Sequence, residues 1–132
     1  MAVVVDASIM ACWYFPDESN PAADAIFDRL RHESVSVPGL WWFEMRNVLL
    51  TGERRGRTDT QTTERFLAFL RDLSIEVALL PDEDAVFDLA RRHRLTFYDA
   101  AYLELAKRER LPLATLDRDL ATAARAEGVA LA

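Results

Sequence analysis

Four acidic residues stand where a protein interior is expected. Asp6 ends the valine run of MAVVVDAS, Glu44 lies inside LWWFEMRNVLL, Asp99 inside TFYDAAYLELA, and Asp117 closes LPLATLD. On a helix, Glu44 would have Trp41 three residues before it and Val48 four after it, on the stripe that faces the core. An ionised carboxylate there is costly unless it meets a partner or a cation. Gathering all four acids would cost about 4 kcal/mol per pair at ~4 Å in an intermediate dielectric. A shared divalent cation removes that objection. Oxygen ligands without a supporting Cys or His cluster favour Mg²⁺, with Mn²⁺ as a substitute, over Zn²⁺. His32 and His93 lie in the charged stretches RLRHE and RRHR and read as solvated surface residues. Cys12 is the only cysteine and reads as a small apolar residue on an early helix. The chemistry suited to such a carboxylate site is phosphodiester hydrolysis by a metal-activated water.

Each acid except Glu44 also has a purely structural role open to it. Asp6 could cap the helix that follows, Asp117 could cap a helix from 118, and Thr96-x-x-Asp99 fits a capping box. Glu44 sits mid-face with no cap to make. A partner such as Arg46 or an arginine of residues 54–57 stays open for it.

The elements that must position these residues follow from periodicity. Val3–Val5 is a continuous apolar run, the pattern of a strand covered on both faces. Ser34–Val37, Ile75–Leu80 and Leu113–Thr115 read as further strands, and Val129–Leu131 as a short fifth. Helical spacing is found over residues 21–31, 40–51, 62–73, 83–92, 97–108 and 118–127, with Gly52 and the GERRGR run punctuating the middle. Strands alternating with such helices predict βαβ units, a parallel sheet and helices on both faces. Sites in open sheets of this kind lie beyond the carboxyl ends of the strands. Asp6 and Asp117 each follow a strand and so belong to that rim.

Residues 1–132 read as one domain. Twenty-two acids against sixteen Lys and Arg give a net charge of −6, which argues against a protein that coats nucleic acid by bulk charge. It does not argue against a nuclease whose acids collect in a metal site. No apolar stretch approaches the ~20 residues that span a bilayer, and a cytoplasmic protein without membrane contact is expected.

Taken together, VVVDASIMACWYFPDE, VPGLWWFEMRNVLL, the GERRGR run and ARRHRLTFYDAAYLELAKRERLPLATLDRDL resemble the PIN-domain ribonucleases, and among them the VapC toxins of VapBC toxin–antitoxin pairs. The likeness runs from Val3 to about Val129. It implies an α/β/α sandwich around a central parallel sheet of four to five strands. It makes Asp6, Glu44, Asp99 and Asp117 the acidic quartet, with Asp6 and Asp99 as principal Mg²⁺ ligands and Glu44 and Asp117 acting through water or a second ion. Thr115 matches a supporting hydroxyl, and Ser8 beside Asp6 is given the same role; Asp119 is near enough to contribute but equally suits a helix dipole.

The resemblance further implies an RNA substrate, a homodimer, and a VapB-type antitoxin that covers the groove, with a larger toxin–antitoxin assembly on DNA formed through the antitoxin. Trp41, Trp42 and Phe43 are consecutive, so at least one must face a neighbouring element or a partner. Arg46, Arg54, Arg55 and Arg57 are placed to meet RNA phosphates or antitoxin carboxylates. The expected function is a Mg²⁺-dependent endoribonuclease toxin. The alternative is a catalytically silent PIN-fold module that works through protein assembly. A receiver-type phosphoacceptor lacks its late-strand Lys here, and a haloacid-dehalogenase-type phosphatase would have an Asp where this chain has Ser8.

Overall fold

The computed structural model describes residues 1–132. Its frame is a sheet of four parallel strands: β1 (Ala2–Val5), β2 (Ser34–Val37), β3 (Ile75–Val77) and β4 (Leu113–Ala114), in the order β3-β2-β1-β4. Val3, Val4 and Val5 of β1 are fully buried, because β1 is central and helices cover both its faces. Register is set by Val3 opposite Val35 on one side and Val5 opposite Ala114 on the other.

Helices α1 (Ala7–Tyr14) and α2 (Pro21–Arg29) carry the chain from β1 to β2, and α3 (Leu40–Arg54) and α4 (Thr60–Asp72) from β2 to β3. Helices α5 (Glu83–His93) and α6 (Phe97–Glu109) then cross back over the sheet to β4, and α7 (Arg118–Ala126) follows. Right-handed crossovers place α1–α4 on one face and α5–α7 on the other, because the chain reverses its direction across the sheet after β3. The reversal makes a switch point between β1 and β4. Their carboxyl ends therefore open onto a crevice.

Several sequence expectations are corrected at their edges. The run IEVALL yields a strand only as far as Val77; Leu79 and Leu80 are almost fully exposed. The partner strand explains this, since β2 ends at Val37 before Pro38, and Ala78 N–H makes the last bond, to the Val37 carbonyl. The expected fifth strand shrinks to a bridge between Leu131 and Leu113. His93 is not a free surface residue: its ring nitrogen meets Glu127 at 2.6 Å. Arg92 and Lys107 reach the same carboxylate at 2.6 and 2.7 Å, tying α5, α6 and the end of α7 together.

Gly52 is also not a break. Helix α3 runs through it to Arg54, and a Cβ at this position would lie 2.9 Å from the ring of Phe15. Phe15 is buried, and the Arg57 guanidinium lies over its ring, 3.9 Å from the centroid. Glycine lets the α3 backbone approach that ring closely, at the cost of helix propensity.

Two outcomes follow from this packing. Gly52→Ala should destabilise the fold by about 1–2 kcal/mol, overpacking at Phe15 outweighing a helix-propensity gain of about 1 kcal/mol. Thermal unfolding would then begin roughly 4–7 °C lower. Secondly, the hydrogen bonds from Arg92, Lys107 and His93 hold the Glu127 carboxyl down from the ordinary 4.5 to about 2. A depressed carboxyl pKa contributes stability that is complete above the unfolded value and is lost as pH falls through the folded one. Glu127→Gln should therefore flatten the acid limb of the stability curve between pH 4.5 and about 2, measured by urea unfolding at each pH.

Candidate metal-binding site at the strand tips

Asp6 occupies the switch point. Its backbone N–H bonds to the Ala114 carbonyl at 3.1 Å, so the residue is still part of the sheet while its side chain stands beyond it. The carboxylate is 5% exposed. One oxygen, Oδ1, accepts from the backbone N–H groups of Ser8 (3.0 Å) and Ile9 (3.3 Å) and from the Ser8 hydroxyl, which makes Asp6 the N-cap of α1. The other, Oδ2, accepts from the Thr115 hydroxyl just past β4. Ser8 Oγ in turn accepts from Leu116 N–H at 3.2 Å, and Thr115 Oγ1 from Asp117 N–H at 3.0 Å. The tips of two adjacent strands are thus laced together through one carboxylate and two hydroxyls.

Glu44 lies on α3 just past its first turn and is half-buried. Its partner is neither Arg46 nor any arginine of residues 54–57. The Tyr102 hydroxyl donates to Glu44 Oε1 at 2.6 Å, reaching across from α6. Asp99 is in the first turn of α6, half-buried, and its N–H is capped by the Thr96 hydroxyl at 3.1 Å. Asp117 is exposed and caps α7 through Leu120 N–H at 3.0 Å, and Asp119 is exposed in the first turn of the same helix. The capping roles of Asp6 and Asp117 and their position at the rim are therefore not alternatives. Asp6 caps a helix directly from the end of β1, and Asp117 does so three residues beyond β4.

The electrostatics bind these acids into one group. Burial raises the Asp6 carboxyl above the usual carboxylate range, against the pull of its hydroxyl and N–H donors. Burial also raises Glu44, and the charges of Asp6 and Asp99 push it the same way, while Tyr102 opposes. Asp99 is raised by burial and then by Asp117, Asp6 and Asp119. Mutual repulsion without a compensating basic side chain is the condition that a divalent cation relieves. The donors are all oxygen, which fits Mg²⁺ or Mn²⁺. No three of them stand as a ready-made cage. Asp6 is turned to its hydroxyl donors and Glu44 to Tyr102, so binding an ion would require carboxylates to rotate toward it.

The cationic residues are distributed differently from expectation. Arg57 bonds Asp17 at 2.9 Å and Glu18 at 2.8 Å and lies on Phe15, so it serves the loop after α1. Arg46 stacks 4.2 Å over the Trp42 ring and bonds the Trp42 carbonyl. Arg54 and Arg55 are exposed at the end of α3. Of the aromatic triplet, Trp41 is buried, whereas Trp42 and Phe43 are 46% and 71% exposed.

Residues 3–126 match the family model of the PIN domain. The chain belongs to the PIN-domain family. It is 35% identical to Ribonuclease VapC3 of Pyrobaculum aerophilum over 125 residues, covering 92% of this chain and 93% of that one. To Exonuclease VapC9 of the same organism it is 35% identical over 101 residues, 75% of each chain. The crystal structure of PAE2754 from Pyrobaculum aerophilum superposes with a TM-score of 0.71 at 31% identity, covering 93% of this chain and 84% of that one.

Within this PIN domain, Tyr102 is the site neighbour for which sequence reasoning assigned no role. Its signal was present in the spacing, since it follows Asp99 by three residues on one face of α6.

The double duty of Asp6 separates it from Asp99 in a stability measurement. Asp6→Ala strips α1 of its cap and leaves buried N–H and hydroxyl donors without an acceptor, which should cost about 1–3 kcal/mol. Asp99 is different. A carboxyl whose pKa is raised on folding subtracts stability once pH exceeds its unfolded value, so neutralising it helps. Asp99→Asn should raise the melting temperature of the metal-free protein at pH 7, and a fall would contradict this account of the site's repulsion.

Proposed function

We propose that this chain acts as a single PIN domain with Mg²⁺- or Mn²⁺-dependent endoribonuclease activity, and that it is the toxin of a VapBC pair, restraining translation or growth until a VapB-type antitoxin neutralises it. The observation that carries the reading is the cluster of Asp6, Glu44 and Asp99 at the switch point of a parallel sheet, three carboxylates raised by burial, with Glu44 and Asp99 pushed further by neighbouring acids. Its relation to a protein named Ribonuclease VapC3 supplies the substrate class.

In this reading Asp6 and Asp99 hold the ion directly, and Glu44 and Asp117 hold its waters or a second ion. A bound divalent ion supplies an activated water and offsets charge developing on the scissile phosphate. The chain's own contribution is placement. Ser8 and Thr115 hold the Asp6 carboxylate at the tips of the two strands, which limits how far it must turn to meet an ion. Arg54 and Arg55, exposed and without acidic partners, suit phosphate contact or an antitoxin carboxylate. An apolar groove lined by Phe43, Leu79, Leu80, Phe97 and Tyr98 opens beside Glu44 and suits a protein partner, either the antitoxin or a second copy in a homodimer. No helix is long and apolar enough to cross a membrane, which agrees with a cytoplasmic setting.

The decisive experiment incubates the protein with linear and with circular single-stranded RNA, in Mg²⁺, in Mn²⁺ and in excess EDTA. Cleavage of both substrates with either metal, abolished by EDTA, is the expected outcome. Asp6→Asn and Asp99→Asn should each lose more than the 10–100-fold typical of groups that only support a ligand. Cleavage restricted to the linear RNA would move the protein to the exonuclease side, where the name of VapC9 points. Failure of the wild type to cleave either RNA would leave a PIN-fold binding module.

A further inference from the structure

We infer that Tyr102 is a positioning residue for the metal site: its hydroxyl, reaching from α6 over the strand tips to Glu44 on α3, holds that carboxylate at the rim and limits its rotation before any ion arrives. The inference rests on the reading of Asp6, Glu44 and Asp99 as a cation site and goes beyond it in assigning an unannounced member to that site.

The geometry is specific. The Tyr102 side chain is 1% exposed, and its hydroxyl sits 2.6 Å from Glu44 Oε1. A buried phenol needs a polar partner. Glu44 is the acceptor it meets, and the backbone of Ala7, at the start of the helix that Asp6 caps, lies close by. One hydroxyl thus stands where α1, α3 and α6 converge. Asp99 is three residues before Tyr102 on α6, so the helix that brings one acid to the rim also carries the group that orients another.

The consequence is a constraint on Glu44 that its own helix does not provide. A half-buried glutamate still has several rotamers open to it, and ordering it has an entropic cost. The Tyr102 bond restricts that sampling, and it does so from the opposite helical layer, where α6 is anchored by buried Leu103, Leu105 and Ala106. If Glu44 swung outward, the Tyr102 hydroxyl would be left buried without its acceptor. Rotation of Glu44 is therefore confined to a small arc around Tyr102, with Oε2 the oxygen left to turn toward a cation.

Tyr102→Phe removes the hydroxyl and keeps the ring. Mn²⁺ binding to the full chain, measured by titration calorimetry, should weaken by about 10-fold or more in Tyr102→Phe, the range seen when a group supporting a metal ligand is lost. In a Glu44→Ala background the same Tyr102→Phe change should make no further difference, which a merely structural role of the ring would not predict. Equal Mn²⁺ affinity of wild type and Tyr102→Phe overturns the assignment while leaving the cation site standing, as does an undiminished loss in the Glu44→Ala background. A wild type without measurable Mn²⁺ binding overturns the cation site itself and this inference with it.

Discussion

The carboxylate of Asp6 is the point through which the sheet, the first helix and the site are joined. It ends β1, caps α1 through two backbone N–H groups, and accepts a hydroxyl from Thr115 beyond β4. Burying a charge at the tip of a central strand is unfavourable unless polar groups surround it. Here Ser8 and Thr115 provide them, and both come from the segments that leave adjacent strands at the switch point. The topology therefore dictates the chemistry of the crevice. A sheet whose strands ran in simple sequence would have no opening there, and an aspartate in that position would be a cap and nothing more.

From this anchor the remaining acids are located by helix geometry. Helices α3 and α6 lie in opposite layers, but both begin near the carboxyl ends of the strands, so their first turns meet over the sheet's rim. Asp99 stands in the first turn of α6, Glu44 just past that of α3, and Asp117 three residues beyond the end of β4. The arrangement leaves acids facing acids. Tyr102 is the one neighbour that bonds Glu44, and it is a neutral donor, which steadies one carboxylate without cancelling its charge. Several cations of the chain are paired elsewhere: Arg57 on the loop after α1, Arg92 and Lys107 on Glu127, Arg108 on the buried Glu104. No basic side chain offsets the acids at the rim.

Much of this was legible in the residue order. A run of three valines ending in aspartate announces a covered parallel strand with a ligand at its tip, and the alternation of strands with helices fixes the layered architecture. Glu44 was visible as an acid within an apolar face. What sequence could not supply were facts that depend on a second segment. IEVALL looks like a strand of six residues, yet its length is decided by where β2 stops. Gly52 looks like a helix end, and only the ring of Phe15 packed against it explains why a helix would keep it. His93 looks solvated until α7 delivers Glu127 beside it. The arginines look alike in GERRGR, but Arg57 is engaged by Asp17 and Glu18 from forty residues earlier, while Arg54 and Arg55 are not.

Site and stability are in tension at the rim, and the structure resolves the tension unequally. Asp6 gives back part of its desolvation cost by capping α1 and bridging β4, so its removal harms the fold as well as the site. Glu44 recovers less, through one phenolic bond. Asp99 recovers least: its carboxylate gains only weak help from Thr96 and stands against three other acids. The carboxylate least bound to the protein is the one freest to bind something else, and it sits on the same helix face as the tyrosine that holds its neighbour still.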